Sequence, residues 1–496
     1  MTPLVEVFGF VSVILRGCTL ALQTLAVGGI VFVLFVLRAR DAPAERSIRR
    51  WALALAAAQS LFLVVDSAVL IGTTGLAVGD LLGANYFLAG CLTVAGSLML
   101  AARPAGAIAL LPAAMILCGT LATSHAMARL DNRVALGAFT LLHQAATAVW
   151  IGGLPYLVSS RLPVSYPVWK RFSALALASA GVLAAAGVAL VYFYLGQPQA
   201  IYGTAYGVMV AAKVVLFALL LMLGGINYFG VRGKAMLSRL KAVTEAEIGI
   251  GFCVIFAAAS LTSQPPAVDV KSSIVPAQAV VERITPHFPS FTTPRVNDLT
   301  LPGVERTKND FAWSEYNHHW AGLVVLSMGL LAVLARTGFA DWARNWPLLF
   351  VGLGVFLLLR ADADVWPLGP FGFWESLRSA EVLQHRLAVV LVFAFAAFEW
   401  GVQTGRLTSM RAALVFPAVC ALGGALLLTH SHSLTNVKEE LLAELSHVPL
   451  AIFGIAAGWA RWLELRLPPS DRKVPAAIWP VCFSMVGVVL LLYREM

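Results

Sequence analysis

Charged residues are scarce in this chain, and their scarcity excludes most soluble folds. Asp, Glu, Lys and Arg together make up 12% of the 496 residues, against roughly 25% in an ordinary soluble domain. Hydrophobic residues make up 59%, and the mean hydropathy is +0.82. The net charge of +9 comes from short basic clusters between apolar runs, not from one basic face or tail. This pattern argues against binding to nucleic acid and predicts a polytopic protein in contact with membrane lipid.

Several motifs are also missing. The six Cys lie inside apolar runs and form no Cys-x-x-Cys pair, which argues against a disulfide framework and a zinc knuckle. No Gly-x4-Gly-Lys-Ser/Thr, His-Glu-x-x-His or Gly-x-Ser-x-Gly sequence occurs, so ATP-driven pumping by this chain, a metalloprotease and an esterase are all disfavoured. We therefore expect a protein that is not an enzyme. Because no basic region precedes the first apolar run, we expect that run to be a retained membrane span.

What the chain has instead is a series of long apolar runs. They show no barrel-like alternation, and backbone groups in lipid must be satisfied within the segment, so helices are the only plausible spanning element. The predicted fold class is all-α, a polytopic transmembrane helical bundle of about 14 spans. The runs lie near residues 8–37, 51–78, 86–102, 105–126, 134–159, 172–195, 206–230, 245–262, 320–334, 346–359, 382–402, 412–428, 448–462 and 478–492.

Basic residues in alternate loops indicate the orientation. One set of loops holds 21 Lys and Arg, and the short loops and terminus of the other set hold 7. The positive-inside rule then predicts a bacterial inner-membrane protein with both termini on the periplasmic side. The one long connection, residues 263–317, carries seven Pro, and we interpret it as an ordered, non-helical periplasmic linker. The predicted domains are an eight-span bundle over 1–262, this linker, and a six-span His-rich bundle over 318–496.

With this orientation, all nine His fall in outer loops or in the outer halves of spans. Neutral imidazole binds copper, zinc and iron, and thioether sulfur selects Cu(I). His125 and Met127 combine an imidazole and a thioether two residues apart, and His143 follows deeper in the next helix. We predict that these three residues form the site where a metal ion enters. The alternative is that His125 is a loop residue and His143 a hydrogen-bonded structural histidine.

A second His-rich group falls in the C-terminal bundle. Glu444 and His447 share one helix face, and the other His sit at the predicted outer ends of three further spans. Such a group could hold copper, a di-metal centre or haem, and ligand type alone does not decide between them. The alternative is an interfacial polar cap. The candidate metal ligands of this bundle are His318, His319, His385, His430, His432, Glu444 and His447.

Ionisable residues inside membrane spans are costly and point to function. Asp66 and Lys213 are the predicted transport-pathway residues, and Arg16 and Glu399 also lie within apolar runs. Asp66 and Lys213 could pair with each other, or Asp66 could relay protons or attract a cation. A purely structural ion pair remains an equal alternative at this point.

An ordered set of short motifs runs through the fifth to eighth apolar runs. In chain order they are His143-Gln-Ala-Ala-Thr-Ala-Val-Trp-Ile-Gly-Gly153, Arg171-Phe-Ser, Tyr206-Gly207, Lys213, Asn227, Glu247 and Leu261-Thr-Ser-Gln-Pro-Pro-Ala267. The set resembles the CopD (PcoD) family of bacterial copper-resistance membrane proteins. The resemblance is close over residues 133–267 and loose over the four earlier runs. The chain continues for about 230 residues beyond the family's short form, which is the length of another domain.

The resemblance implies copper handling at the inner membrane, with copper moving from the periplasm toward the cytoplasm. It makes His143 a candidate copper residue, and Lys213 and Asn227 packing or pathway positions. It also implies a periplasmic carrier of the CopC type, which would have to be a separate chain. Two other functions stay open: a redox protein holding haem or a di-metal centre in the C-terminal bundle, and a sensor or assembly factor that only presents copper to a partner.

Overall fold

The computed structural model describes residues 2–159, 166–300, 306–429 and 437–495. Within these ranges every extended regular element is a helix, and the only β pairing is an isolated bridge between Val365 and Phe371. The all-α prediction is therefore confirmed. Thirteen helices in the same ranges are long and apolar enough to cross a membrane, and one further apolar helix is shorter.

We number these fourteen helices along the chain, and each corresponds to one of the predicted apolar runs. They are α1 (Phe8–Leu37), α2 (Ala42–Thr74), α3 (Asn85–Ala102), α4 (Ala107–Ala122, the shorter one), α5 (Arg133–Ser159), α6 (Tyr166–Leu195), α7 (Ala205–Arg232), α8 (Leu237–Leu261), α9 (Lys308–Thr337), α10 (Asp341–Arg360), α11 (Val382–Gln403), α12 (Met410–Leu427), α13 (Glu444–Arg466) and α14 (Lys473–Leu491).

The fourth run is not one continuous helix. α4 ends at Ala122, and a separate short helix, His125–Ala128, follows it. Ser124 lies between the two in an extended conformation, and its hydroxyl hydrogen-bonds back to the carbonyl of Leu121. His125 and Met127 therefore lie beyond the end of α4 and not within it.

The long connection contains more helix than expected. A helix covers Ala277–Ile284, and α9 begins at Lys308, about three turns before the predicted span. Thr307 and Asp310 form a capping box at that start, with the Thr307 amide donating to Asp310 Oδ2 at 2.6 Å. This box satisfies amides that a helix start leaves unpaired, which explains the early start of α9. The two helical segments show that the expectation of a wholly non-helical linker is wrong.

The chain divides into two compact units. The first consists of the described residues of Phe8–Pro198 and Lys213–Lys271. The second consists of Thr2–Val7, Gln199–Ala212 and the described residues from Ser272 onward. The first unit thus contains α1 to α6, α8 and most of α7, and the second contains α9 to α14.

In the first unit, α1 and α5 cross at paired glycines. A side chain at Gly28 would collide with the backbone of Ala148 and Gly152, and one at Gly152 would collide with the carbonyl of Thr24. The two Gly-Gly pairs at residues 28–29 and 152–153 therefore mark a close helix crossing, as small residues do in membrane bundles. Tyr156 locks the same crossing by donating to the carbonyl of Leu25 at 3.0 Å.

The core of the second unit is aromatic. Trp346 of α10 packs against Phe416, Trp479 and Phe483, with ring centroids 5.7 to 6.0 Å apart. Such tilted and edge-to-face pairs add stability beyond the burial of their area. They bring together helices α10, α12 and α14, and Phe350 of α10 extends the cluster.

The glycine crossing gives a stability prediction. Gly152→Ala should destabilise the protein by about 1–3 kcal/mol, because the added methyl group has no space against α1. Thermal unfolding of the purified protein in detergent, followed by tryptophan fluorescence, measures the loss. Gly181→Ala in α6 is the matched control, since nothing lies within 4 Å of the added methyl group. Equal melting curves for the two variants would contradict the assigned crossing.

Candidate metal-handling sites

His125 presents a nitrogen that no protein group uses. The residue lies in the short helix after α4, and its Nε2 is buried without a hydrogen-bond partner. Burial lowers the pKa of His125, and the nearby Arg16 and Arg129 act in the same direction against a hydrogen bond with the Thr262 backbone. The ring is therefore neutral near pH 7, which is the form that binds metals. Met127, two residues on, places its sulfur over Gly137 at the start of α5.

His143 shows the same feature deeper in the first unit. It projects from α5 toward α6, where its ring faces Gly187. Its Nδ1 is buried and has no hydrogen-bond partner. Lys213 of α7 lies within electrostatic range of the ring. A buried polar atom without a partner is rare in a folded protein and calls for an explanation.

Asp66 and Lys213 are not ion-paired with each other. The charge that acts on Asp66 is that of Arg16, and the charge of Lys213 acts on His143 instead. Arg16 also donates to Thr123 Oγ1 at 3.2 Å, in the turn that leads to His125. The first alternative for Asp66, a pair with Lys213, is therefore replaced by an interaction with Arg16.

A buried carboxyl group lies further along the same unit. Glu247 of α8 is 2% exposed. Its Oε1 accepts from Trp150 Nε1 of α5 at 2.7 Å, and its Oε2 accepts from Asn227 Nδ2 of α7 at 2.9 Å. Asn227 also donates to Thr244 Oγ1 at 3.1 Å. We name Glu247, Trp150 and Asn227 the Glu247 triad.

Sequence reasoning included all three residues of the triad in the CopD-like motifs but assigned Glu247 no role. Glu247 stands near the margin of its apolar run, where a carboxylate reads as a boundary residue. The signal that could have found it was its combination with Asn227 and Trp150, two neutral hydrogen-bond donors inside neighbouring runs.

In the second unit, two predicted ligands form a cluster with Tyr493. His318 of α9 stacks on the ring of Tyr493 with centroids 3.8 Å apart, and its Nδ1 hydrogen-bonds with the carbonyl of Ser314 at 2.8 Å. His447 of α13 approaches both rings edge-on, at 6.4 Å from His318 and 6.2 Å from Tyr493. Burial, with Glu495 adding to it, raises the pKa of Tyr493 far above its ordinary value. The neutral phenol donates to Glu495 Oε1 at 2.8 Å.

The other described candidates of this unit already have protein partners. His319 uses both ring nitrogens, with Nε2 at 2.9 Å from the carbonyl of Tyr493 and Nδ1 hydrogen-bonded to the backbone of Ser290. His385 Nδ1 lies 2.8 Å from Asp362 Oδ1. Glu444 is buried in α13. His430 and His432 lie outside the described residues.

No group of three or more His, Cys, Asp and Glu close enough to hold a metal ion occurs in residues 2–159, 166–300, 306–429 and 437–495. The predicted ligands found there are spread over several positions in the two units. The roles predicted for them from the sequence stay predictions.

Glu399 belongs to an ionic network in the second unit. Glu399 is fully buried, and its Oε1 accepts from Arg461 Nη2 at 3.1 Å and from Gln403 Nε2 at 2.6 Å. Arg461 also binds Glu464 at 2.8 Å, and Glu464 in turn pairs with Arg336. Two carboxylates and two guanidinium groups thus neutralise each other across α9, α11 and α13. This balance fits a structural role better than a transport role.

Comparison with known proteins gives two findings. Residues 166–261 match the family described as CopD, copper resistance protein D. A protein named copper transport protein CutJ, from Bacillus subtilis (strain 168), is 30% identical over 151 residues, which cover 29% of this chain and 28% of that protein. No solved structure matches the chain.

The CopD match covers the whole of α6, α7 and α8. It includes Lys213, Asn227 and Glu247, which confirms the family resemblance seen in the sequence. His125 and His143 precede the matched residues but lie in the same compact unit. The ionic network around Glu399 lies outside the CopD segment, in the second unit.

That network gives a prediction about stability. Arg461→Met should lower the free energy of unfolding by about 3–5 kcal/mol, because Glu399 would then be buried without a counter-charge. Denaturant unfolding in mixed micelles measures the change. The double variant Glu399→Leu with Arg461→Met should recover most of the loss, and Arg411→Met, at an exposed position, is the control. A double variant less stable than Arg461→Met would contradict the assigned pairing.

Proposed function

We propose that this protein carries copper ions across the bacterial inner membrane, from the periplasm toward the cytoplasm, and so contributes to copper homeostasis. The CopD segment and the relative named as a copper transport protein support a copper-related membrane role. The thirteen helices long enough to cross a membrane, found among the described residues, support a multi-pass protein. In this proposal the protein is a transporter and not an enzyme, and copper is its cargo.

The observation that carries the proposal is the pair of unpartnered imidazole nitrogens in the first unit. His125 Nε2 and His143 Nδ1 are both buried, and neither has a hydrogen-bond partner. Each ring hydrogen-bonds through the backbone of a neighbouring segment, His125 with Thr262 and His143 with Leu183, which leaves one nitrogen unpaired in each. A buried polar atom left unpaired costs about 1–3 kcal/mol. A cation bound by these nitrogens during transport would compensate this cost. Imidazole is a good copper ligand, and the thioether of Met127 favours Cu(I).

The order of these residues along the chain suggests a route. His125 and Met127 lie beyond the end of α4, so they are the first groups that an ion from the periplasm would meet. His143 lies about three turns inside α5. Asp66 interacts with Arg16, whose charge also acts on His125, and in this proposal the Asp66 carboxylate attracts the cation. A separate periplasmic carrier of the CopC type would deliver the ion to His125.

The second unit holds no comparable pair among its described residues. His319 and His385 are hydrogen-bonded to protein groups, and the ring of Tyr493 covers one face of His318. We therefore assign copper capture to the first unit. The haem or di-metal alternative predicts a visible absorption spectrum for the purified protein, and a Soret band would support it.

Removing both imidazoles tests the proposal. In cells, His125→Ala combined with His143→Ala should reduce copper accumulation to the level of cells without the protein, because both unpartnered nitrogens are lost. Elemental analysis of washed cells at equal expression measures it. His287→Ala is the matched control, since His287 is exposed and already hydrogen-bonded to Arg494. Unchanged copper content in the double variant would refute the proposal.

Purified protein in liposomes separates carrying copper from merely presenting it. If the chain is a carrier, copper added outside should accumulate inside the vesicles. If it only presents copper to a partner, copper should bind without entering, and this result would favour the sensor or assembly role.

A further inference from the structure

The Glu247 triad holds a carboxyl group in an environment without a counter-charge. Glu247 is 2% exposed, and its two oxygens accept from two neutral donors, the indole of Trp150 and the amide of Asn227. Glu399 of the second unit, equally buried, is paired directly with Arg461. The two buried glutamates are therefore stabilised differently, Glu399 by an ion pair and Glu247 by hydrogen bonds from neutral groups.

The charged groups on the surrounding helices do not reach Glu247. The helices that contact it are α5 through Trp150 and α7 through Asn227, and α1 packs against α8 nine residues further along, where Gly17 meets Phe256. Trp150 and Asn227 are the only described side chains that act on it. The titratable groups nearest to the triad along these helices are His143 and Tyr156 on α5, Lys213, Tyr228 and Arg232 on α7, Arg239, Lys241, Glu245 and Cys253 on α8, and Arg16 and Cys18 on α1.

Helix geometry gives the approximate distances, along the helix axes, between the charged groups and the residues of the triad. Lys213 precedes Asn227 by fourteen residues on α7, which is about 21 Å along a helix axis, and His143 precedes Trp150 by seven residues, about 10 Å. Arg232, only five residues beyond Asn227, is held over the ring of Tyr228 with its guanidinium carbon 3.8 Å from the centroid. No described cation thus compensates a carboxylate at Glu247.

The triad also has a spare acceptor, and a glycine forms one of its sides. Gly224 of α7 faces the carboxyl group, and a Cβ there would lie 3.5 Å from Glu247 Oε1 and 3.5 Å from Trp150 Cζ2. Asn227 is 7% exposed, and its Oδ1 is buried without a hydrogen-bond partner. A carboxyl group and an unused amide oxygen therefore lie together beside a residue that has no side chain.

We propose that Glu247 is a proton-binding site, and that its proton is exchanged for the cation that the first unit carries. A buried carboxylate with no counter-charge is strongly disfavoured in hydrocarbon, so with no cargo present the group holds a proton. When a cation enters the unit, Glu247 releases that proton, and the resulting carboxylate balances one positive charge. When the cation leaves, the carboxylate binds a proton again.

This inference rests on the proposed copper transport and adds the coupling ion. One proton leaves Glu247 for each positive charge that enters, and no electron moves. Copper entry is then coupled to proton exit without any nucleotide, so the copper gradient drives entry and a periplasm more acidic than the cytoplasm opposes it. The neutral donors suit this role, because Trp150 and Asn227 stabilise the carboxylate without fixing it in the charged state as an arginine would.

Infrared difference spectroscopy of the purified full chain tests proton binding directly and requires no copper. Spectra recorded across a pH titration should show the C=O stretch of a buried protonated carboxyl group. Glu247→Gln should remove that band, and Glu282→Gln, at an exposed glutamate, should leave it. The same band in Glu247→Gln as in the wild type would overturn the proposal.

Glu247→Asp keeps the experiment decisive if the Gln variant folds poorly. It retains a titratable carboxyl group, so the infrared band should persist at a shifted frequency and midpoint pH. If Glu247 had a purely structural role, Glu247→Gln, which keeps the ability to form hydrogen bonds, should preserve the function of the protein as well as Glu247→Asp does. Loss of the band in a folded Asp variant would overturn the proposal.

Liposomes containing a pH-sensitive dye test the coupling. For the wild type, copper entry should make the interior more alkaline as protons leave. With equal copper concentrations on the two sides, Glu247→Gln should still exchange radioactive copper. When copper is added only outside, the pH change inside Glu247→Gln liposomes should fall to that of protein-free liposomes. Copper entry by the wild type without a pH change, or with a requirement for sodium, would overturn the coupling. Absence of any copper movement in the wild type would refute the transport proposal itself, while the infrared result would still decide proton binding.

Discussion

An ionisable side chain inside a membrane bundle must obtain an opposite charge, strong hydrogen bonds or a proton, because hydrocarbon provides no water to solvate it. In this protein that requirement separates the two compact units. The second unit meets it with a neutral network, in which Glu399 and Glu464 share Arg461 and Arg336. In the first unit, the ionisable groups meet this requirement only partly. Asp66 interacts with Arg16 without a close ion pair among the described residues, and Glu247 has neutral donors only.

The partly satisfied groups are the ones to which we assign function. An ion-paired network such as that of Glu399 resists change, since removing any member leaves a buried charge behind. Groups with an unpaired polar atom can bind a ligand without breaking an existing interaction. His125 and His143 each keep a free ring nitrogen, and Asn227 keeps a free amide oxygen. All of these lie in the first unit, which also contains most of the CopD segment.

Much of the fold was predictable, because hydrocarbon imposes a simple rule on sequence. A segment that crosses it must be apolar over about 20 residues and helical throughout. Each predicted run accordingly corresponds to a helix. The errors lie where that rule does not apply. Ser124 separates a short helix from the fourth run, and the capping box of Thr307 and Asp310 starts α9 early, both through local polar contacts at helix ends. The glycine pairs were noticed in the sequence, but their mutual contact follows only from the crossing of α1 and α5.

The sequence by itself determined the class of the protein, the number and place of its apolar helices, and the residue types able to handle a metal ion. These follow from composition and local order along the chain. Only the tertiary structure decided the partners. It placed Arg16, and not Lys213, beside Asp66, engaged the rings of His319 and His385, and left Glu247 without a cation. The reason is physical. Two side chains on helices far apart in sequence become partners only if helix packing brings them close together, and composition does not specify that packing.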